Sequence, residues 1–148
     1  MAKPAEVHVA LIEQLRRNIN RVGELNFAAF PSAGVPVPKI EIYPGSPWVI
    51  YRETYGPDGV AGMNVVITVT GKNGDGDSAG RLMSDLLTAG GTTESSSICD
   101  AVMVDVTLGG VVSVCLPQDP DWDVNPDTFE SVGRVPCVIR FSKSGANA

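Results

Sequence analysis

Pro38-Lys39-Ile40-Glu41-Ile42-Tyr43-Pro44-Gly45-Ser46-Pro47-Trp48, with the residues that follow to Gly71, decides the fold. Ile40 and Ile42 alternate with Lys39 and Glu41. Trp48, Ile50 and Arg52 alternate with Val49, Tyr51 and Glu53. Met63, Val65, Ile67 and Val69 alternate with Asn64, Val66, Thr68 and Thr70. Period-two runs bounded by Gly and Pro predict antiparallel strands, three here in series. Tyr43-Pro44-Gly45-Ser46-Pro47 reads as a sharp break between the first two. Tyr55-Gly56-Pro57-Asp58-Gly59 reads as the turn into the third.

Upstream, the spacing predicts a helix over Glu6–Val22. Leu11, Ile12, Leu15, Ile19 and Val22 form its apolar stripe, with Arg17, Asn20 and Arg21 opposite. Pro4 suits its start and Gly23 its end. Arg17 and Arg21 read as a solvated face or as a docking face for an acidic neighbour. Asn26–Pro38 reads as a loop or short edge strand. Downstream, the loop Gly71–Asp77 leads to a helix capped by Asp77 or Ser78, with Leu82, Met83, Leu86 and Leu87 inward. A short helix follows over Ser97–Val104, then a strand over Val111–Leu116 and an acidic loop over Gln118–Asp127. A last strand spans Arg134–Phe141, which Pro136 pushes toward an edge or a bulge. The order predicts an α+β fold: a mostly antiparallel sheet of about five strands, with two to three helices on one side. The 148 residues fit one domain, with an ordered core over 6–142 and a polar tail over 143–148.

Hydrophobic content of 43% is that of a globular chain. A net charge of −6 argues against nucleic acid as an adhesive partner, because phosphate binding needs clustered Lys and Arg. Cys99, Cys115 and Cys137 form no CxxC pair and read as buried thiols. No apolar run is long enough for a membrane span, and no signal peptide opens the chain.

No residue pattern points to catalysis, and no cofactor is implied. His8 is the only histidine, so a triad or a histidine metal cluster lacks its partners. Ser46 lacks the second glycine of a nucleophile elbow. The loop Gly71–Asp77 lacks the Gly-Lys-Ser/Thr ending of a phosphate loop. Asp119–Glu130 places oxygen side chains at the first, third, fifth, seventh, ninth and twelfth positions, as a calcium loop does. Val124 stands where that loop needs glycine, and Pro120 and Pro126 interrupt it, so the match reads as a β-connecting loop with Trp122 packed beneath it or against a partner. Trp48, Tyr51 and Tyr55 cluster near one hairpin; alternation sends Trp48 and Tyr51 to opposite faces, which favours an interface role for at least one of them.

The Pro38–Trp48 segment, Met63–Val69, Ser96–Ala101 and Thr107–Gly110 together resemble the small neck and tail-end proteins of long-tailed, siphovirus-type actinobacterial phages. The element order over about residues 6–142 is similar to that of the tail terminators of lambda-like phages. There a helix precedes a strand of the form Pro-apolar-x-apolar-Tyr, matched here by Pro38–Tyr43. The resemblance implies a tail-terminator-like fold and a virion protein assembled in the bacterial host cytoplasm. It implies a self-assembled ring, commonly a hexamer, that caps the tail tube protein, stops its polymerisation and meets the head–tail connector. DNA only passes through such a ring. On that reading Trp48, Tyr51, Tyr55, Arg17, Arg21 and Trp122 are candidate interface residues, and Asp119, Asp121, Asp123 and Asp127 face the channel or rim. A head–tail connector on the portal side is the nearest alternative. A divalent-metal enzyme using the acidic loop and a free monomeric binding module are the others.

Overall fold

A computed structural model describes residues 3–19, 25–51, 60–71, 76–88 and 97–141. The elements are α1 (Pro4–Asn18), β1 (Asn26–Ala28), β2 (Lys39–Tyr51), β3 (Val60–Thr70), α2 (Gly76–Leu87), α3 (Ile98–Met103), β4 (Val114–Pro117), β5 (Asp121–Val124) and β6 (Ser131–Arg140). The predicted α+β architecture is the one observed. β1 pairs in parallel with β2, and every other pairing is antiparallel. The sheet runs β1-β2-β3-β6-β4, and β5 also pairs with β6.

The three helices lie over one face. Ile40, Ile42, Met63, Val65, Ile67, Val69, Val135, Cys137 and Ile139 project into them and are buried. Leu11, Ile12, Leu15 and Ile19 supply the stripe of α1, and Met83, Leu86 and Leu87 that of α2. α1 begins with Pro4 at its first position, and Glu6 Oε2 accepts from the Lys3 N–H at 3.3 Å. Ser97 Oγ caps α3 by accepting from the Asp100 N–H.

Three expectations about the sheet need correction. Tyr43–Pro47 does not break the chain into two strands: β2 runs on from Lys39 to Tyr51. Pro44 pairs with Val65 and Val49 with Met63, so 45–48 bulge out opposite Asn64. The Asn64 side-chain amide donates to Pro47 O at 2.9 Å and keeps the strands joined across the bulge. The acidic loop is not all loop, because Asp121–Val124 is strand β5. Nor is the Pro136 strand an edge. β6 lies between β3 and the β4/β5 pair, and Pro136 falls where neither β4 nor β5 pairs with it. Its carbonyl accepts from the Gln118 N–H at 2.7 Å. N–H and C=O of one strand residue point the same way, so the donor that proline lacks would have faced this gap. The expected turn Tyr55–Gly59 and the terminal 142–148 lie outside the described residues.

Two buried polar groups tie the layers together. Gln14, 1% exposed on the apolar stripe of α1, points its amide at the last carbonyls of α3, Ala101 O at 3.1 Å and Val102 O at 2.9 Å, and at Asp105 O just beyond the helix at 2.9 Å. It supplies the C-cap that this short helix cannot make for itself. Glu41, wholly buried on the face away from the helices, accepts from the Ser32 N–H at 2.6 Å, with Lys39 Nζ 3.3 Å from its other oxygen.

Candidate functional site

His8 is the centre of an aromatic cluster that holds the β2 bulge. Its ring stacks on Phe30 at 4.6 Å between centroids and meets Trp48 edge-on at 5.9 Å. Trp48 Nε1–H donates to His8 Nε2 at 3.1 Å. Indole nitrogen can only donate, so Nε2 accepts, and Nδ1–H donates to Ala29 O at 3.0 Å. Both bonds require the neutral ring. Burial lowers its pKa, and the Ala29 carbonyl opposes that shift. His8 is thus a buried packing residue, and its contacts reach Trp48, which remains 39% exposed. Tyr51 is exposed at the end of β2. Tyr55 and Arg21 lie outside the described residues.

Arg17 is exposed on the last turn of α1 beside Arg16. Arg16 caps the ring of Phe27, the middle residue of β1, at 5.7 Å. The Arg17 charge reaches Asp105, whose carboxyl is held low mainly by the Thr107 hydroxyl and by the Thr107 and Gly109 amides. Arg16, which also lies 3.9 Å from the exposed Glu13, thus stands by β1, while Arg17 faces Asp105, next to the Val106 carbonyl that accepts from Cys115 of β4.

The acidic residues are at the other margin. Asp121 and Asp123 pair with Arg134 and Val132 of β6 and share one face; Asp123 Oδ2 lies 3.1 Å from the Arg134 guanidinium. Both ends of that ion pair are solvated, so it contributes little to stability. Trp122 and Val124 take the opposite face. The Trp122 ring lies over Gly80 of α2, where an added methyl would stand 3.6 Å from it, yet 48% of Trp122 is exposed. Asp119 precedes the strand and Asp127 sits in its turn, so the carboxylates do not converge. Among the described residues, no group of three His, Cys, Asp or Glu could hold a metal ion.

The turn joining β5 to β6 is tightly built. The Asn125 side chain accepts from the Asp127 and Thr128 N–H groups, Phe129 N–H donates to Asn125 O at 2.7 Å, and Asn125 N–H donates to Glu130 O. This fixes Phe129 at φ 58°, a left-handed conformation that costs a bulky residue about 1–3 kcal/mol, with 60% of it exposed. Phe129 was not among the residues expected at an interface. The turn-formers Asn125-Pro126-Asp127 announce a turn, but nothing local says that its left-handed position falls on Phe129.

The face of the sheet away from the helices carries a shallow groove of about 460 Å³ lined by Tyr43, Val66, Thr68, Val132 and Arg134 among others. Of the described helices, none is long and apolar enough to cross a membrane. Comparison with known protein families finds no match, and comparison with curated proteins finds none either.

Proposed function

We propose that the chain is a phage tail terminator: copies close into a ring, commonly six, that caps the tail tube, ends its polymerisation and presents a surface to the head–tail connector. The observation that carries this reading is the pair of unlike, unpaired margins of one sheet. β1 ends it on one side and β4 with β5 on the other, with no further strand beyond them among the described residues. Unlike margins join copies head to tail, and such heterologous contacts form rings when the rotation closes. A subunit of net charge −6 surrounds passing DNA without holding it. In this reading no bond is made or broken.

Electron microscopy of the purified protein with isolated tail tubes tests it. Rings seated on tube ends are expected, and particles lacking the protein should carry overlong, headless tails. Tails of normal length joined to heads would refute it. Binding to head-side proteins and not to tube ends would transfer the chain to the connector role.

A further inference from the structure

We propose that His8 is a proton-operated latch on the β2 bulge: the neutral ring holds Trp48 down, and the protonated ring releases it while the rest of the sheet stays paired. The proposal does not depend on ring formation or on any virion role.

The latch follows from the two nitrogens of one ring. Nδ1–H donates to Ala29 O, so only Nε2 is left to take up a proton. Nε2 is also the atom that Trp48 Nε1–H meets at 3.1 Å. Protonation therefore puts a hydrogen on both nitrogens of that contact, and the bond to the indole is lost.

The new cation would have no counter-charge. Pro4, Ala5, Leu11 and Ile12, one turn from His8 on α1, are uncharged. Glu6 is engaged by the Lys3 N–H at the helix start. Residues 25–32 and residues 60–70 of β3 carry no ionisable side chain. On β2, Glu41 and Lys39 pair with each other on the face away from the helices, Tyr43 lines the outer groove, and Tyr51 is exposed at the strand end. Burial and the Ala29 carbonyl alone set the proton affinity of the ring. A buried charge without a partner is relieved by opening to water.

The opening is local. Residues 45–48 have no partner in the ladder, which runs to Pro44–Val65 and resumes at Val49–Met63. The base of the bulge is fixed at Asn64, which donates to Pro47 O and lies so close to Gly45 that an added methyl would stand 2.7 Å from its Cβ. The indole has one hydrogen to give, and His8 takes it. Swinging Trp48 out breaks no strand pairing and adds its buried part to the exposed ring of Phe30. Acid thus enlarges an aromatic surface on this flank.

The test uses the full chain between pH 8 and pH 5. His8 is the only histidine, so its imidazole signals in NMR report one titration, and Trp122→Phe leaves Trp48 as the only tryptophan. A single-proton transition below about pH 6.5 is expected, with acrylamide quenching of Trp48 rising about twofold or more at the same midpoint. Far-UV circular dichroism should not change across it. His8→Gln keeps an acceptor for Trp48 but takes up no proton in this range, so its quenching should be flat. Trp48→Phe removes a bond that favours the neutral ring, so the His8 midpoint should rise by about half a pH unit or more. The proposal is overturned if His8 titrates with Trp48 quenching unchanged, or if the dichroism is lost together with the titration. It is equally overturned by the same quenching transition in His8→Gln, by an unmoved midpoint in Trp48→Phe, or by a ring that stays neutral until the chain unfolds.

Discussion

Replacing Gln14 with Leu separates the role of one buried amide from the packing around it. Leu nearly preserves the volume on the α1 stripe, so the cavity term is small. What is lost is the donor group. An amide carries two hydrogens and here faces three carbonyls. Asp105 O keeps a second donor, the Leu108 N–H at 3.0 Å. Ala101 O and Val102 O, at the end of α3, lose theirs. Each buried acceptor left without a partner costs about 1–3 kcal/mol, so Gln14→Leu should destabilise by about 2–6 kcal/mol. At roughly 2–4 °C per kcal/mol for a domain of this size, the smallest loss in that range lowers the melting temperature by about 4–8 °C. Urea denaturation followed by circular dichroism gives the measurement, with an unchanged slope as the sign that only stability moved. Gln14→Glu sharpens it. At pH 7 a carboxylate would face the same carbonyls, so this variant should be less stable than Gln14→Leu, and it should recover part of the difference at pH 4, where the acid can donate. A Leu variant within about 0.5 kcal/mol of wild type would refute the capping argument.

The remaining expectations concern the His8 cluster and the close contacts of glycine. The His8 pKa is lowered in the folded state, so the unfolded chain binds more protons. This contribution is complete above about pH 6.5 and is lost as pH falls through the folded value, with a slope of up to about 1.4 kcal/mol per pH unit. Comparing urea midpoints of wild type and His8→Gln at pH 8 and pH 5 checks it; parallel pH profiles would be the contrary result. A methyl on Gly62 would stand 2.5 Å from Ile139 O, a backbone atom of the paired strand, so Gly62→Ala should cost about 1–3 kcal/mol. Gly80→Ala places its methyl in ordinary contact with Trp122 on a helix and should instead stabilise by about 0.5–1 kcal/mol. Thermal melts of the two variants should move in opposite directions.

The sequence makes the layers legible and leaves the ties between them hidden. Apolar period alone locates α1, α2, α3 and the buried face of β3, because burial on one side imposes it on every residue in the run. The bulge at 45–48 reads as a break because Pro44, Gly45, Ser46 and Pro47 are all turn-formers. Only the distant Asn64 amide and the continued pairing beyond it turn the same residues into strand. β5 is hidden for a related reason: Asp121 and Asp123 have poor strand propensity, and pairing with β6 overrides it. The ties made by His8 and Gln14 are not legible, because nothing local names the partner of a polar residue on or beside an apolar stripe. Their partners lie in Ala29 and Trp48 for one and 87–91 residues away for the other. Of the candidate surface, Arg17, Trp48, Tyr51 and Trp122 were legible from residue type. The outward knob of Phe129 was not, since it depends on where the Asn125 turn closes.

The slot at Pro136 has a consequence for how this molecule can change over time. β4 and β5 lie end to end along one flank of β6, and the residue opposite their junction offers no hydrogen to either. Lengthening or shortening the chain between Pro117 and Asp121 therefore disturbs little beyond the single bond from Gln118. The arm ending in Phe129 can therefore change its reach while the sheet behind it keeps its pairing.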